Sequence, residues 1–524
     1  MCRRGSAVAR VAFLAILLSA TVAVGHSYVT TTGVADATET AQTDSNSPAH
    51  VSTVLTTGQT LDVESRFESA SDRPTRGENW STPRVTEAVA TLDRNVTVVA
   101  TQGFYVSDER AELAAFLANG TVVYYDDRYR VYFDVDPVEA ERYTVEYIAA
   151  EHLTGDACGP VGGEPCTRNV VTRVNLTTGE EEQVYSEVTE RVYSARWHDV
   201  DRINETHLLV ADIVDDGVYA VDTRDGSVAW RWNASAHYDR EQGGSEGDWT
   251  HINDVEALAD GSVVVSPRNM DEVVFLEPGP DGWAVNESRT LGTAENHDVL
   301  YEQHNPDYIP ADRGGPAVLV ADSENGRIVE YERTAEGWNR TWKWRDVRLQ
   351  WPRDADRLPD GNTLVVDSHG DRVAEVGVND TVVWSADVGM PYDVERLGTG
   401  DESSGGPAAP YRAVVGERPG DAASVVANVT NASGVGSGSE PRRSLADRFW
   451  LGLKTLVPSL LANGALYVAP SWVRFSDLAF ATTAVSTGIV WSVSEFYWSQ
   501  YSLAGLARRA TVVGRRAFAA IRRR

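Results

Sequence analysis

Lysine is almost missing from this 524-residue chain: of 47 basic residues only Lys343 and Lys454 are lysines, and the other 45 are arginines. Positive charge is scarce overall, against 77 acidic residues, a formal charge of −30 and a pI near 4.7. No basic surface large enough to neutralise a phosphate backbone survives that balance, so nucleic acid is excluded as a partner. Excess carboxylate with little lysine suits concentrated salt, where charge repulsion is screened over very short distances. The composition points to a haloarchaeal source. Cysteine is rare as well, with three residues. Cys2 lies in the leader. Cys158 and Cys166 bracket a Gly/Pro loop with no histidine or third cysteine placed beside them, which favours a disulfide over a metal site. Long apolar runs are absent except near the two ends. Even so, 42% hydrophobic residues and 15 tryptophans supply a substantial core, which excludes wholesale disorder.

The charge is unevenly distributed. Residues 26–440 carry 74 acidic and 32 basic groups, whereas the two ends together carry 15 basic and 3 acidic. Arg3, Arg4 and Arg10 lead into an apolar run from Val11 to Gly25, which reads as a signal peptide or an uncleaved anchor over 1–25. Near the other end Leu478–Tyr501 is apolar and aromatic, broken by Glu495, and seven arginines follow it. A transmembrane helix is expected over 475–501, with 502–524 as a basic cytoplasmic tail and Glu495 near the inner interface. The stretch 449–473, interrupted by Lys454, Pro458, Asn463 and Pro470, reads as an interfacial segment. Residues 26–83 read as a flexible acidic stalk, part of which has the option of closing the fold, and 416–448 as a linker. The acidic middle would then lie outside the cell, anchored in the cell membrane. Eleven of the 20 asparagines sit in Asn-x-Ser/Thr sequons, all in that outer segment, as expected of an exported glycoprotein.

A repeat organises the middle. His198-Asp-Val-Asp, His251-Ile-Asn-Asp, His304-Asn-Pro-Asp, Arg353-Asp-Ala-Asp and Tyr392-Asp-Val-Glu recur at spacings of 53, 53, 49 and 39 residues. A turn and a β-rich run such as Leu208-Leu-Val-Ala-Asp or Thr363-Leu-Val-Val-Asp follow each of the first four. A second strand comes next, then one that carries tryptophan: Trp230, Trp342 with Trp344, or Trp384. Three to four short strands per repeat, punctuated by Asp-Gly turns, describe a β-propeller blade. The expected fold is all-β, a six-bladed β-propeller over 84–415 whose first two blades are degenerate. The tryptophans read as packing between blades.

Innermost strands of a propeller line its central channel, so the repeat start would bring His198, His251, His304, Arg353 and Tyr392 towards one axis. Imidazoles and a guanidinium converging in an acidic protein would make a local anion site. Each histidine has a structural alternative, a hydrogen bond to the next blade's aspartate. Two further candidates lie in aligned turns: Arg327 in Asp322-Ser-Glu-Asn-Gly-Arg, and His369 in Asp367-Ser-His-Gly-Asp-Arg, where Arg372 matches Arg327.

Gly247-Asp-Trp-Thr-His-Ile-Asn-Asp, Ser266-Pro-Arg-Asn, Tyr301-Glu-Gln-His and Asp322-Ser-Glu-Asn-Gly-Arg resemble, in order and spacing, the arylsulfate sulfotransferases. Those are exported six-bladed propellers that move a sulfuryl group from one phenol to another. The resemblance covers roughly 195–400. It implies that His251, His304 and Arg327 polarise the sulfate oxygens and that His369 is the nucleophile, forming a sulfohistidine by ping-pong chemistry. His198, Arg268, Arg353 and Tyr392 would contact substrate. The partners implied are small phenols and aryl sulfates, with no cofactor and no metal ion. Two other readings compete. One is a non-catalytic extracellular propeller that binds an anionic ligand or a partner protein. The other is a quinone-dependent dehydrogenase propeller, whose calcium ligands and regular Trp-docking motif the repeat does not show.

Overall fold

The computed structural model describes residues 2–31, 60–62, 96–417 apart from 104–110, 119–121, 139–140, 142, 162–164 and 281, then 445–470 and 473–498. The chain divides into a unit of residues 47–471 and a unit made of 1–46 with 472–524.

Among the described residues the larger unit carries six sheets, four of them four-stranded and two five-stranded. Blade 2 runs outward from Val131–Pro137, blade 3 from Val200–Asn204, blade 4 from Ile252–Ala257, blade 5 from His304–Ile309 and blade 6 from Pro352–Asp354. Blade 1 is composite. Its innermost strand, Pro391–Arg396, comes from the C-terminal side and pairs antiparallel with Val96–Thr101, so sequence-distant strands close the ring. The expectation of six blades is met. The degenerate first two are complete sheets as well, and the Cys158–Cys166 disulfide forms at the end of blade 2 with Cα atoms 5.8 Å apart.

Local sequence explains the strands. The second strand of each blade is covered on both faces, so His207–Asp212 and Ala317–Asp322 read as nearly continuous Leu, Val and Ala instead of alternating. Outer strands such as Val228–Asn233 are largely exposed and more polar. Gly226, Gly261 and Gly361 turn the chain with φ of 73°, 83° and 85°, the left-handed region that glycine enters without a Cβ penalty. The tryptophans do join blades. Trp230 stacks on Trp283 with centroids 4.1 Å apart, and Trp384 Nε1 donates to the Ala118 carbonyl at 3.1 Å. Trp342 Nε1 donates to Asp380 at 2.8 Å.

Thr60–Asp62 pairs in parallel with Val382–Asp387 on the outer edge of blade 6, so part of the region read as a stalk belongs to the propeller. Residues 32–59 and 63–83 of that region lie outside the described residues, as do 418–444 of the linker. The segment read as interfacial forms two short helices. After α1 (Cys2–Thr31) and α2 (Arg412–Glu417), these are α3 (Leu445–Lys454) and α4 (Ser459–Tyr467). Both belong to the propeller unit, and Lys454 Nζ donates to the Leu349 carbonyl at 2.9 Å.

The smaller unit pairs α1 with α5 (Phe475–Trp498). Arg10 bonds Glu495 at one end and Ser27 Oγ donates to Asp477 at 2.9 Å at the other, which makes the two helices antiparallel. Glu495 thus has a cationic partner. Among the described residues only α1, over Ala9–Tyr28, is long and apolar enough to cross a membrane. It also runs six residues past the expected boundary at 25. The expected C-terminal span exists as a helix, but Asp477, Glu495 and several hydroxyl residues leave it short of that apolarity. The basic tail 502–524 lies outside the described residues.

Candidate active site

The repeat start places its side chains together, and backbone irregularity is the reason. Register shifts interrupt the pairing of the innermost strands at Tyr132/Val135, Ile252/Val255, His304/Pro306, Pro352/Asp354 and Ala100/Thr101 opposite Pro391. A bulge of this kind re-aims the side chain beside it. His251 and Trp351 also adopt φ of 49° and 54°, a region that costs a non-glycine residue energy and persists only where packing enforces it.

The outcome is one contiguous cluster. The His198 ring lies 5.0 Å from His251, 4.3 Å from Phe133 and 5.9 Å from Tyr392, centroid to centroid. His304 is 6.1 Å from both Tyr392 and Trp351, and His369 is 4.4 Å from Trp351. Arg353 stacks between Trp351 and Tyr392, its guanidinium carbon 4.1 and 4.8 Å from the two rings. His198, His304, Arg353, His369 and Tyr392 are all at most 5% exposed. Four of the five start residues are therefore linked through ring contacts to His251, and His369 joins them through Trp351.

Burial sets the protonation states. Desolvation pushes His369 down to about 3, helped by the charge of Arg353, while the adjacent Asn463 side chain works weakly the other way. Desolvation and then Arg268 lower His251 to about 4, opposed by Asp248. His198 and His304 fall well below the usual imidazole range, first through burial and then through neighbouring cations. All four rings are neutral at pH 7. Asp248 remains a carboxylate: burial opposes this, but the bond to His251 and the charge of Arg268 hold it at about 2. It lies 2.6 Å from His251 Nδ1, which fixes that proton and leaves Nε2 as the lone pair. His304 Nδ1 bonds Ser323 Oγ at 2.8 Å. His369 differs, because neither ring nitrogen has a well-formed protein hydrogen bond.

Two guanidiniums serve this cluster. Arg353 bonds Gln102 through Nη1, and among the described residues its Nε has no protein partner and it forms no ion pair with a carboxylate. Arg268 is tied to Asn269 at 3.0 and 3.1 Å and sits 3.7 Å from Glu302. Arg327 is placed differently from its expected role in an anion clamp. Its Nε binds Asp322 and its Nη2 donates to the Asp298 and Val299 carbonyls at 2.9 and 3.0 Å. Arg372 repeats the arrangement with Asp367 at 2.8 Å and Asp346 at 3.0 Å. The alignment of the two turns is thus real, and its arginines are blade ion pairs. Trp249, Asn253 and Gln303 of the resembling motifs are also scaffold: Asn253 Nδ2 donates to the Gln303 carbonyl at 2.9 Å, and Trp249 Nε1 to that of Gln242 at 2.6 Å.

Sequence reading missed Phe133, Trp351, Gln102, Asp248, Asn463 and Tyr467. Phe133-Asp-Val-Asp in fact matches the repeat start, and only the weak blade 2 pattern hid it. Gln102, Asn463 and Tyr467 arrive from distant segments with no local signal.

Further along lies a second tier, of carboxylates: Asp134, Asp199, Asp354 and Asp393 one residue after the start position, Asp254 and Asp307 three residues after it, with Asp136, Asp201, Glu256, Asp356 and Glu395 two residues beyond the first member in five blades. Asp393 accepts from the Val135 amide at 2.7 Å, Asp134 from Val200 at 3.2 Å, Glu256 from Tyr308 at 2.8 Å and Asp354 from Val394 at 3.1 Å. Each bond joins one blade to the next. Burial raises these carboxyls, to about 6 for Asp393, where hydrogen bonds from Asp354 and the Val135 and Val394 amides oppose it, and to about 7 for Asp199. Asp307, Asp354 and Asp356 bring oxygens within 4.8 Å of one another, a spacing that would suit a metal ion.

Residues 104–341 match the family model Arylsulfotransferase (ASST). No curated protein matches the chain. Among solved structures, the chain is similar to the periplasmic gluconolactonase PpgL of Pseudomonas aeruginosa at 14% identity, over 58% of this chain and 99% of that one, with a TM-score of 0.39. A virginiamycin B lyase of Staphylococcus aureus matches at 7% identity over 60% and 89%, with a TM-score of 0.33.

Proposed function

We propose that the propeller transfers a sulfuryl group from an aryl sulfate to a phenol through a histidine adduct. The observation that carries this reading is the neutral, buried His369, neither of whose ring nitrogens has a well-formed hydrogen bond among the described residues, beside Arg353, a buried cation with no ion pair among them. The family match over 104–341 supports the reaction class.

In the first step a lone pair of the His369 imidazole attacks sulfur, an N–S bond forms, and the S–O bond to the aryl group breaks. The donor leaves as a phenolate. In the second step the acceptor phenol loses its proton and its oxygen attacks the same sulfur. The S–N bond breaks and neutral imidazole returns. His251 Nε2 is the natural proton acceptor, because Asp248 accepts its Nδ1–H and would stabilise the imidazolium. Negative charge spreads over the sulfuryl oxygens in the transition state. Arg353 and Arg268, in place of Arg327, are the guanidiniums positioned to stabilise it, with His198, His304 and Tyr392 shaping the anion pocket. A neutral imidazole is the required nucleophile, and burial supplies one across the physiological range.

The enzyme would be held at the cell membrane by α1, with α5 beside it and the propeller outside. Exposed Val11, Leu18 and Val22 on α1 and Val485, Ile489 and Val493 on α5 favour that reading.

The test is turnover of 4-nitrophenyl sulfate by the full chain in detergent and high salt, with and without phenol, followed by quenching and peptide mass spectrometry. Phenol-dependent release of 4-nitrophenol with one sulfuryl group on the His369 peptide is the expected result. A folded protein that binds sulfate without turnover or adduct would return the anion-binding propeller instead.

A further inference from the structure

Helix α4 places its inward residues at helical spacing: Ala462, Asn463 and Leu466 are buried and Tyr467 is half-buried, whereas Leu460, Leu461 and Val468 face outward. The Asn463 carboxamide is fully engaged. Its Nδ2 donates to Glu324 of blade 5 at 3.0 Å, its Oδ1 accepts from Gln350 ahead of blade 6, and the side chain adjoins the His369 ring. One turn later Tyr467 reaches the opposite side. Its ring meets Trp351 edge-on with centroids 5.9 Å apart, and its phenol oxygen lies 3.5 Å from Nε2 of Gln102. The other end of the Gln102 amide accepts from Arg353. Arg196, which borders Phe133, also bonds Tyr467. A single short helix therefore touches the nucleophile's surroundings at one end and the buried guanidinium's partner at the other. Among the described residues, the polar atoms in the cluster without a protein partner include His198 Nδ1, Arg353 Nε, Trp351 Nε1 and the Tyr392 hydroxyl, and neither His369 nitrogen has a well-formed hydrogen bond. Buried polar atoms in such number mark a place built for a polar ligand.

We infer that α4 is the lid of this pocket and that Asn463 is a positioning residue, holding His369 in its attacking orientation while Tyr467 sets the place of Arg353 through Gln102. The inference rests on the sulfuryl-transfer reading above. Substrate exchange requires α4 to lift, because the cluster beneath it is almost wholly buried.

The experiment uses the full chain in detergent and compares wild type with Asn463→Ala and Leu466→Ala. Two readouts are taken: single-turnover cleavage of 4-nitrophenyl sulfate, and the rate at which diethyl pyrocarbonate modifies His369, followed by peptide mass spectrometry. Asn463→Ala is expected to lower the cleavage rate by about 10–100-fold with the donor KM within about threefold, as a misaligned nucleophile should. Leu466→Ala is expected to speed His369 modification at least about tenfold with an unchanged circular dichroism spectrum, since loss of a buried leucine loosens the lid. Cleavage by Asn463→Ala within about twofold of wild type would overturn the positioning role. Equal modification rates in wild type and both variants would overturn the lid. If wild type itself cleaves no aryl sulfate, the reaction reading falls, and the modification rates still decide whether α4 covers His369.

Discussion

Two tiers of side chains sit at the starts of the six innermost strands, one residue apart in four blades and three apart in two, and they behave in opposite ways. The first tier, at the repeat start, gathers His198, His251, His304, Arg353, Tyr392 and Phe133, with His369 joining from a neighbouring turn. The second gathers the aspartates that follow. Both are buried, yet burial acts on them with opposite sign: it strips protons from imidazoles and holds them on carboxyls. Among the described residues, the first tier leaves ring and guanidinium nitrogens without protein partners, and the second places several of its oxygens on the backbone amides of adjoining blades while others, such as Asp254 Oδ1 and Asp356 Oδ2, stay unpartnered. The lesson is that one short repeated motif can supply reactive groups with its first residue and architecture with the aspartate one or three residues later.

The sharpest way to break the comparison is to remove one member of each tier. His369→Ala is expected to reduce aryl sulfate cleavage by at least about 10³-fold with an unchanged melting temperature, as loss of a covalent nucleophile should. Asp393→Ala is expected to act the other way. It leaves the Val135 amide without its acceptor and lowers stability by about 1–3 kcal/mol in urea unfolding, with activity kept in the folded fraction.

The two arginine types sharpen the contrast further. Arg353→Met should lower cleavage by about 10²–10³-fold while leaving stability equal or higher, because a buried cation without a carboxylate is removed. Arg327→Met should cost about 3–5 kcal/mol by orphaning Asp322, with turnover of the folded protein little changed. The reverse pattern would restore Arg327 to the anion clamp.

The pH dependence of stability should carry both signs. The raised carboxyls, Asp393 at about 6 and Asp199 at about 7, favour folding at low pH, and that contribution fades as pH climbs from near 4 through 7. The lowered imidazoles, His251 at about 4 and His369 at about 3, favour folding above 6.5, and that contribution fades as pH falls from 6.5 through about 4 for His251 and about 3 for His369. The two windows overlap and oppose each other, so a broad maximum of melting temperature between about pH 4 and 6.5 is expected. Replacing Asp199 with Asn should flatten its alkaline side. Asp248→Asn is the mildest test: it should lower acceptor transfer by about tenfold, with donor cleavage less affected, because only His251 loses its orientation.

Much of this was legible in the chain itself. The repeat start marked the innermost strands of five blades, and only Phe133, in a blade with weak patterning, escaped it. The tryptophans read correctly as joints between blades, since large aromatic residues on outer strands have little else to pack against. Arg327 was misleading for a physical reason. Its turn matches that of Arg372, but sequence does not reveal that Asp322 and two carbonyls from residues 298–299 occupy the guanidinium. Asn463 was unreadable as a site residue, because its apolar surroundings suggest a lipid interface as easily as a protein one.

Composition and period by themselves determined the blade, the number of blades and the choice of histidine, arginine and tyrosine at the channel. These follow from local patterning, in which alternation, Asp-Gly turns and a fixed spacing suffice. Tertiary structure alone decided which cations stay unpaired, which histidine nitrogens stay open and which helix covers them. Those properties depend on desolvation and on partners far away in the chain, such as Gln102 with Arg353 and Asn463 with Glu324, and no local pattern encodes them.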